Sequence, residues 1–246
     1  MNFQFFDTVS STQDKARSLL ASRACSPPFA VCASSQSLGR GTSSRLWYSP
    51  PGNLFLTVAL RAAPLFESGV PVTLLPLKVG CVAAEAIRGL LPDEGERALK
   101  LKWPNDVLMD RKKVSGVLIE MEGDCLLIGV GVNVKTAPPV PDSGPNLGRS
   151  STCVGDYTSL PDDCGEVVKK LGEDIAMSLG LWFDEKLPNE PGDVVKEFAE
   201  QVEFGVRIKM REGGWVVPIR IERDGQLLVR VEDTGEEKLL CSDYML

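Results

Sequence analysis

Residues 101–134, LKWPNDVLMDRKKVSGVLIEMEGDCLLIGVGVNV, decide the predicted fold of this chain. An extended run ends at Lys102-Trp103, and Pro104 then prevents its continuation as an ordinary ladder strand. Asn105 and Asp106 are predicted to lie in the turn that follows. The run 110–113 is interpreted as a charged loop that leads to a second strand at 117–121.

A third strand is predicted at 125–134, after a short polar connection. The three predicted strands are strongly apolar, and the segments that join them carry lysine, aspartate and asparagine. Such side chains, placed on loops by rigid strands, are suited to binding and reacting with a small molecule. The stretch therefore predicts a buried sheet with a reactive edge for a phosphorylated ligand.

The composition is that of an ordinary globular protein. The chain has 246 residues, of which 43% are hydrophobic and 25% charged, enough for one large domain and a small second one. No apolar run approaches the length of a membrane span, and the N-terminal stretch lacks the pattern of a signal peptide. We expect no membrane partner and a cytoplasmic location.

The charge and the residue types exclude several classes of function. A net charge of −7 argues against extended contact with nucleic acid. The absence of histidine excludes Ser-His-Asp and Cys-His catalysis and every histidine-ligated metal site. The seven cysteines include no C-x-x-C pair, so we expect reduced thiols and no metal site built from protein ligands.

The rest of the chain is predicted to alternate between strands and helices. A helix is expected to begin at Ser11, which with Asp14 has the character of a capping box. Further predicted helices span 77–91, 166–183 and 193–199; predicted strands span 3–6, 29–33 and 54–60. Residues 137–163 are interpreted as a long surface connection. From residue 201, short alternating strands at 206–209, 216–221, 227–231 and 238–240 predict a small β-barrel.

A glycine-containing segment, 36–47 (QSLGRGTSSRLW), suggests an anion-binding loop. Gly39 and Gly41 would let backbone N–H groups approach a ligand closely, and Arg40 and Arg45 would add charged donors. The segment is neither a Walker A loop nor a complete G-x-G-x-x-G motif, because residue 44 is serine. A flexible surface loop is the alternative interpretation.

Three other candidates also have plain structural interpretations. Lys113 could be a solvated lysine within a charged run. Trp103 could equally be a core residue or a functional one. Asn133 could be a polar residue that satisfies backbone groups at the end of a strand.

Taken together, the segments GRGTSSRLWYSPPGNL, KWPNDV, KVSGVLIE and GVGVNV resemble, in order and spacing, the signatures of the biotin protein ligases. The Ser-Ser-Thr sequence at 10–12 fits the same resemblance, which covers residues 10–134 strongly and the C-terminal part only in general character. It implies an α+β fold, with a mixed β-sheet and flanking helices like those of class II aminoacyl-tRNA synthetases. A catalytic domain at 1–200 and an SH3-like β-barrel at 201–246 are expected, without a DNA-binding domain.

The resemblance also implies a reaction in two steps. Biotin and ATP give biotinyl-5′-AMP, and a lysine of the biotin carboxyl carrier domain of a biotin-dependent carboxylase then accepts the biotinyl group. Mg²⁺ is expected to assist through phosphate and water ligands. The resemblance leaves a homodimer open.

Individual residues acquire expected roles from the matched motifs. Catalytic roles are implied for Lys113, Arg40 and Asp106, with Asp106 near the incoming lysine. Binding roles for biotin and the nucleotide are implied for Ser11, Thr12, Gln13, Gln36, Gly39, Arg40, Gly41, Thr42, Arg45, Trp47, Asn105, Lys113, Gly116 and Asn133.

Two positions depart from the motifs, and two other functions compete. Thr42 and Ser44 replace an arginine and a glycine of the loop, which puts tight retention of the adenylate in doubt. A lipoate or octanoate ligase of the same superfamily is the rival enzyme, and a non-catalytic binding module is the rival of another class.

Overall fold

The computed structural model describes residues 1–42, 45–92, 98–139, 150–185, 187, 192–210 and 213–241. Its strands are β1 (Asn2–Val9), β2 (Phe29–Gln36), β3 (Leu54–Arg61), β4 (Leu99–Lys102), β5 (Asp106–Met109), β6 (Lys112–Glu122), β7 (Cys125–Val132), β8 (Ile208–Lys209), β9 (Trp215–Ile221), β10 (Leu227–Val231) and β11 (Glu237–Leu240). Its α-helices are α1 (Thr12–Ala21), α2 (Ala63–Glu67), α3 (Leu75–Arg88), α4 (Gly165–Glu185) and α5 (Gly192–Ala199).

Within the described residues, the strands form two sheets. The larger sheet has the order β1-β2-β3-β7-β6-β5-β4, and the smaller has the order β11-β10-β9-β8. β1 pairs with β2 in parallel, and the other neighbours in both sheets are antiparallel. The predicted α+β class, with a mixed sheet and a small C-terminal β unit, is therefore confirmed.

Successive side chains of a strand point to opposite faces of a sheet. The two faces of the larger sheet therefore pack against different parts of the protein. One face of β3 carries Leu54, Leu56 and Val58 into the main core, which α3 and α4 cover. Burial of each such side chain contributes roughly 1.5–3 kcal/mol. The other face carries Ala59 beneath Ala16 of α1. Because α1 covers only part of this second face, the remainder is open for a ligand.

The segment between Asp106 and Lys113 differs from the prediction of a turn and a charged loop. Asp106 begins β5, and β6 begins at Lys112. The connection is a tight turn at Asp110 and Arg111, whose φ angles are 46° and 63°, as two-residue hairpin turns require. The charged run had the composition of a loop, but it forms a hairpin. Lys113 consequently lies on a strand, with a fixed direction for its side chain.

The prediction of a surface connection at 137–163 is wrong for part of that range. Thr152 and Val154 are buried. The Lys113 N–H donates to the Ser150 carbonyl at 3.0 Å, and the Thr152 N–H donates to the Lys113 carbonyl at 3.0 Å. Residues 150–152 therefore pair with β6 at Lys113. Residues 140–149 of the predicted connection lie outside the described residues.

The smaller sheet contacts the larger one through the turn between β9 and β10. The Trp103 indole N–H donates to the Gly225 carbonyl at 2.9 Å, and the Thr73 hydroxyl donates to the Asp224 carbonyl. Trp103 also packs against the main core. This tryptophan thus joins the two sheets, while a domain boundary between residues 200 and 201 stays a prediction.

None of the helices in the described part of the chain is both long enough and apolar enough to cross a membrane.

We predict that Gly225→Ala destabilises the protein more than Gly235→Ala. Both glycines have positive φ, at 84° and 73°, where a Cβ costs roughly 1–2 kcal/mol. A Cβ at Gly225 would also lie 3.1 Å from the Thr73 carbonyl oxygen, whereas nothing lies within 4 Å of one at Gly235. In urea unfolding, Gly225→Ala should lower the free energy of unfolding by about 1–3 kcal/mol more than Gly235→Ala does. Equal losses would mean that this turn is not docked on the larger sheet.

Candidate functional site

A small cavity of about 70 Å³ lies on the face of the larger sheet that α1 leaves open. It is bounded by the start of α1, the end of β2, residues 40–42 and 45–47, and strands β3, β6 and β7. Its lining residues are Ser11, Thr12, Gln13, Gln36, Arg40, Gly41, Thr42, Arg45, Leu46, Trp47, Phe55, Leu56, Asn105, Lys113, Gly116, Val117, Leu118, Gly129, Val130 and Gly131.

The floor of the cavity depends on glycines that share one face of two neighbouring strands. Gly116 of β6 is paired with Gly131 of β7. A Cβ at Gly131 would lie 2.5–2.7 Å from atoms of the Trp47 indole, and one at Gly116 would lie 3.2 Å from the same ring. Only glycine therefore lets the indole lie directly on the sheet. The ring occupies space above the strands, which helps to keep the cavity small.

Polar side chains at one end of the cavity form a connected chain of hydrogen bonds. The hydroxyl of Ser11 caps α1 by accepting from the Gln13 N–H at 3.2 Å. The backbone N–H of Thr12 donates to Gln36 Oε1 at 2.8 Å, and the Thr57 hydroxyl lies 2.9 Å from that of Thr12. These groups are held in place by the protein itself, so they are preorganised to orient a polar ligand.

Two buried polar atoms of the lining residues have no hydrogen-bond partner among the described residues. They are Gln13 Oε1, an acceptor, and Trp47 Nε1, a donor. The Gln13 amide N–H₂ group is already engaged, because it donates to the Leu118 and Leu127 carbonyls at 3.2 and 3.3 Å. Such unsatisfied atoms are uncommon in folded proteins. A ligand with both donors and acceptors could satisfy the two atoms.

An ion pair between Lys113 and Asp106 lies beside the cavity. The register of β5 and β6 brings these residues together, since Asp106 is paired with Gly116. A Cβ at Gly116 would lie 2.9 Å from Lys113 Nζ, and Nζ lies 5.4 Å from the centre of the Trp47 ring. The Lys113 ammonium is thus held between an aromatic face and a carboxylate, and Lys102 Nζ lies 4.0 Å from the same carboxylate. This position is suited to an anionic ligand.

A second cation, Arg40, binds two carboxylates at the other side of the cavity. Its guanidinium lies 2.8 Å from Asp14 and 3.1 Å from Glu120. Burial alone would lower the pKa of Arg40, but hydrogen bonds and charge interactions with Asp14 and Glu120 raise it above the ordinary value. The guanidinium accordingly remains charged at neutral pH.

Of the fifteen residues given expected roles, twelve line the cavity and three do not. Asp106 reaches the site through Lys113. Gly39 packs tightly against the Ser49 side chain and the backbone of Trp47. Asn133 is buried, and its amide N–H₂ group donates to the Thr152 carbonyl at 3.0 Å, which agrees with the structural alternative for this residue.

Thr42, where the motif has an arginine, accepts a hydrogen bond from the Arg45 guanidinium. The other departure, Ser44, lies outside the described residues. The sequence analysis named Lys113 and Gly116 but missed the other lining residues of β3, β6 and β7. Their detectable signal was the alternation Gly129-Val130-Gly131, because a period of two places both glycines on one face.

Comparison with known proteins adds independent findings. Residues 5–133 match the model of the biotin/lipoate A/B protein ligase family. The bifunctional ligase/repressor BirA of Bacillus subtilis is 31% identical over 175 residues, which cover 68% of this chain and 49% of that protein. The biotin–[acetyl-CoA-carboxylase] ligase of Paracoccus denitrificans is 35% identical over 113 residues, covering 44% of this chain and 45% of that protein. The chain spans about half the length of the curated relatives it matches.

Solved structures match over nearly the whole chain. The biotin protein ligase of Leishmania major, in complex with biotinyl-5-AMP, has a TM-score of 0.70 at 30% identity and covers 98% of this chain and 99% of its own. That of Aquifex aeolicus, in complex with biotin and ATP, has a TM-score of 0.71 at 26% identity with the same coverage. Since the family model also matches more than half of the residues, the chain belongs to the biotin/lipoate A/B protein ligase family.

Proposed function

We propose that the chain is a biotin–protein ligase, which converts biotin and ATP to biotinyl-5′-AMP and transfers the biotinyl group to a lysine of a biotin carboxyl carrier domain. One observation carries this proposal. A preorganised polar pocket around Thr12 and Gln36 adjoins a Lys113–Asp106 ion pair. Such a site has a polar end for a neutral head group and a cation for a carboxylate or phosphate.

In the first half-reaction, an oxygen of the biotin carboxylate attacks the α-phosphorus of ATP. A P–O bond forms, and the bond to the β-phosphate oxygen breaks to release pyrophosphate. Negative charge shifts onto the phosphate oxygens during this step. The ammonium of Lys113 is the group proposed to stabilise that charge, because a fixed cation acts most strongly where charge develops. Lys113 lies on a strand and contacts Trp47, so its ammonium is already held near the cavity and needs to move only a short way for this role.

In the second half-reaction, the amine of the carrier lysine attacks the acyl carbon. A C–N bond forms, and the C–O bond to AMP breaks. A free lysine has a pKa of roughly 10.4, so its amine must lose a proton before attack. Asp106 is proposed to orient that amine and help remove its proton. This role requires Lys113 to turn from Asp106 towards the phosphate of the adenylate.

Mg²⁺ would arrive with ATP and neutralise charge on the phosphate oxygens. In the described part of the chain, no group of three acidic or cysteine side chains has metal-binding geometry. In this proposal, phosphate oxygens and water supply most of the ligands of the ion. A cytoplasmic location, a homodimer and the absence of nucleic-acid binding stay predictions.

Lipoate ligation is the competing activity, because the matched family includes lipoate ligases. We favour biotin, since the curated relative from Paracoccus denitrificans and the matched structures are biotin ligases. We predict exchange of labelled pyrophosphate into ATP that requires Mg²⁺ and biotin. Parallel assays with lipoate and with no acid serve as controls. Exchange that occurs with lipoate and not with biotin would overturn the choice of substrate. A lack of exchange with either acid would overturn the proposed activity.

We predict that Lys113→Ala lowers the rate of adenylate formation by about 10²-fold or more, by analogy with loss of an oxyanion donor. Lys112→Ala is the matched control, because Lys112 is the adjacent residue of β6 and is exposed. Single-turnover measurement of biotinyl-adenylate formation compares the two variants. If Lys113→Ala retained the rate of Lys112→Ala, Lys113 would have no role at the phosphate.

A further inference from the structure

The backbone of Lys113 is held by a segment that is not itself a strand of the larger sheet. The Lys113 N–H donates to the Ser150 carbonyl at 3.0 Å, and the Lys113 carbonyl accepts from the Thr152 N–H at 3.0 Å. The N–H and the carbonyl of one strand residue point to the same side, so β5, on the other side, cannot bond to them. The backbone orientation of Lys113 therefore depends on residues 150–152.

The regular strands beside β6 hold Lys113 less firmly than they hold the residues that follow it. β7 ends at Val132, which is paired with Ser115, two residues beyond Lys113. On the other side, the pairing of β5 with β6 shifts register immediately before the Leu108–Lys113 pair. Such a shift leaves a residue unpaired and bends the strand locally. The contact with residues 150–152 consequently sets the direction in which the Lys113 side chain leaves the sheet.

Thr152, the central residue of this contact, is itself fixed by side chains. It is buried, and its hydroxyl donates to Asp156 Oδ2 at 2.6 Å. The same carboxylate oxygen accepts from the Cys153 N–H at 3.3 Å, and the Thr152 carbonyl accepts from the Asn133 amide at 3.0 Å. The hydroxyl–carboxylate bond is charge-assisted, and such bonds are roughly twice as strong as neutral ones. The Asp156 carboxylate thus fixes the residue whose N–H bonds to Lys113.

We propose that Thr152 and Asp156 are positioning residues, which direct the Lys113 ammonium towards the cavity by fixing the backbone of Lys113. Neither of these two described residues lines the cavity, so they act on a ligand through Lys113. This inference rests on the proposed function, in which the Lys113 ammonium stabilises charge on the α-phosphate. A group with such a role must be held within about 0.5 Å of its productive position by the residues around it.

Hydrogen exchange at single amides of the ligand-free protein tests the contact without any assumption about the ligand. Thr152→Val keeps the shape of the side chain and loses the hydroxyl. In this variant the Lys113 amide should exchange about tenfold faster, as expected for loss of a hydrogen bond to a charged group. Amides of residues 117–121, which pair with β7, should exchange as in the wild type. Thr152→Ser keeps the hydroxyl and should restore the wild-type rate at Lys113.

Two results of this exchange experiment would overturn the proposal. One is an equal rate at the Lys113 amide in Thr152→Val and Thr152→Ser. The other is an equal acceleration at Lys113 and at residues 117–121, because that would mean that Thr152→Val destabilises the whole protein.

Single-turnover formation of biotinyl-adenylate tests whether the effect passes through Lys113. Thr152→Val should lower the rate about tenfold, since a small misplacement of a reacting or stabilising group is costly. Asp156→Asn should lower it in the same direction, because asparagine keeps an acceptor but loses the charge. Thr158→Val is the matched control and should keep the wild-type rate, because Thr158 is a partly exposed threonine two residues beyond Asp156. In a Lys113→Ala background, Thr152→Val should have no further effect.

The outcomes separate the positioning role from the proposed function. A further tenfold loss from Thr152→Val in the Lys113→Ala background would show a general structural role and overturn the proposal. Normal adenylate formation in Thr152→Val would likewise overturn the positioning role alone. A wild-type protein that forms no adenylate would overturn the proposed function, and amide exchange would then decide by itself whether Thr152 fixes Lys113.

Discussion

The contact between the Trp47 indole and the glycine face of β6 and β7 determines the shape of the candidate site. Where Gly131 and Gly116 lie, the sheet has no side chains to separate it from the ring. A tryptophan placed there occupies much of the space that a ligand could otherwise fill. It also supplies an aromatic surface for the Lys113 ammonium, 5.4 Å from the ring centre. The shape of the site and the position of its positive charge therefore both depend on Trp47.

Two cations of the site, Lys113 and Arg40, are held by carboxylates in a chain that is acidic as a whole, with a net charge of −7. Lys113 is paired with Asp106, and Arg40 is paired with Asp14 and Glu120. Pairing lowers the cost of keeping a cation partly buried in the absence of ligand. In the proposed reaction, a phosphate would compete with Asp106 for Lys113, so binding of the nucleotide would expose the carboxylate proposed for transfer.

Much of the fold followed from local patterns, and the pairings of the site did not. The apolar runs at 54–60 and 125–134 and the capping residue Ser11 were visible because they depend on neighbouring residues. The Lys113–Asp106 pair depends on the register of β5 and β6, which includes a shift between Val107 and Leu108. The turn at Asp110 and Arg111 fixes where the two strands begin to pair, but the charged run had the composition of a loop and did not reveal this turn. Asp14 was interpreted as part of a capping box, yet its carboxylate binds arginines from two elements, an arrangement that only the tertiary fold specifies.

Titration with a non-hydrolysable analogue of biotinyl-5′-AMP, comparing Gly131→Ala with Gly192→Ala, tests most directly whether Trp47 on the glycine face shapes the site. A Cβ at Gly131 must displace the indole, whereas nothing lies within 4 Å of one at Gly192. We expect Gly131→Ala to bind the analogue at least about tenfold more weakly, since displacement of a packed ring costs roughly 1–3 kcal/mol. Gly192→Ala should bind like the wild type. Unchanged affinity in a folded Gly131→Ala variant would contradict this view of the site.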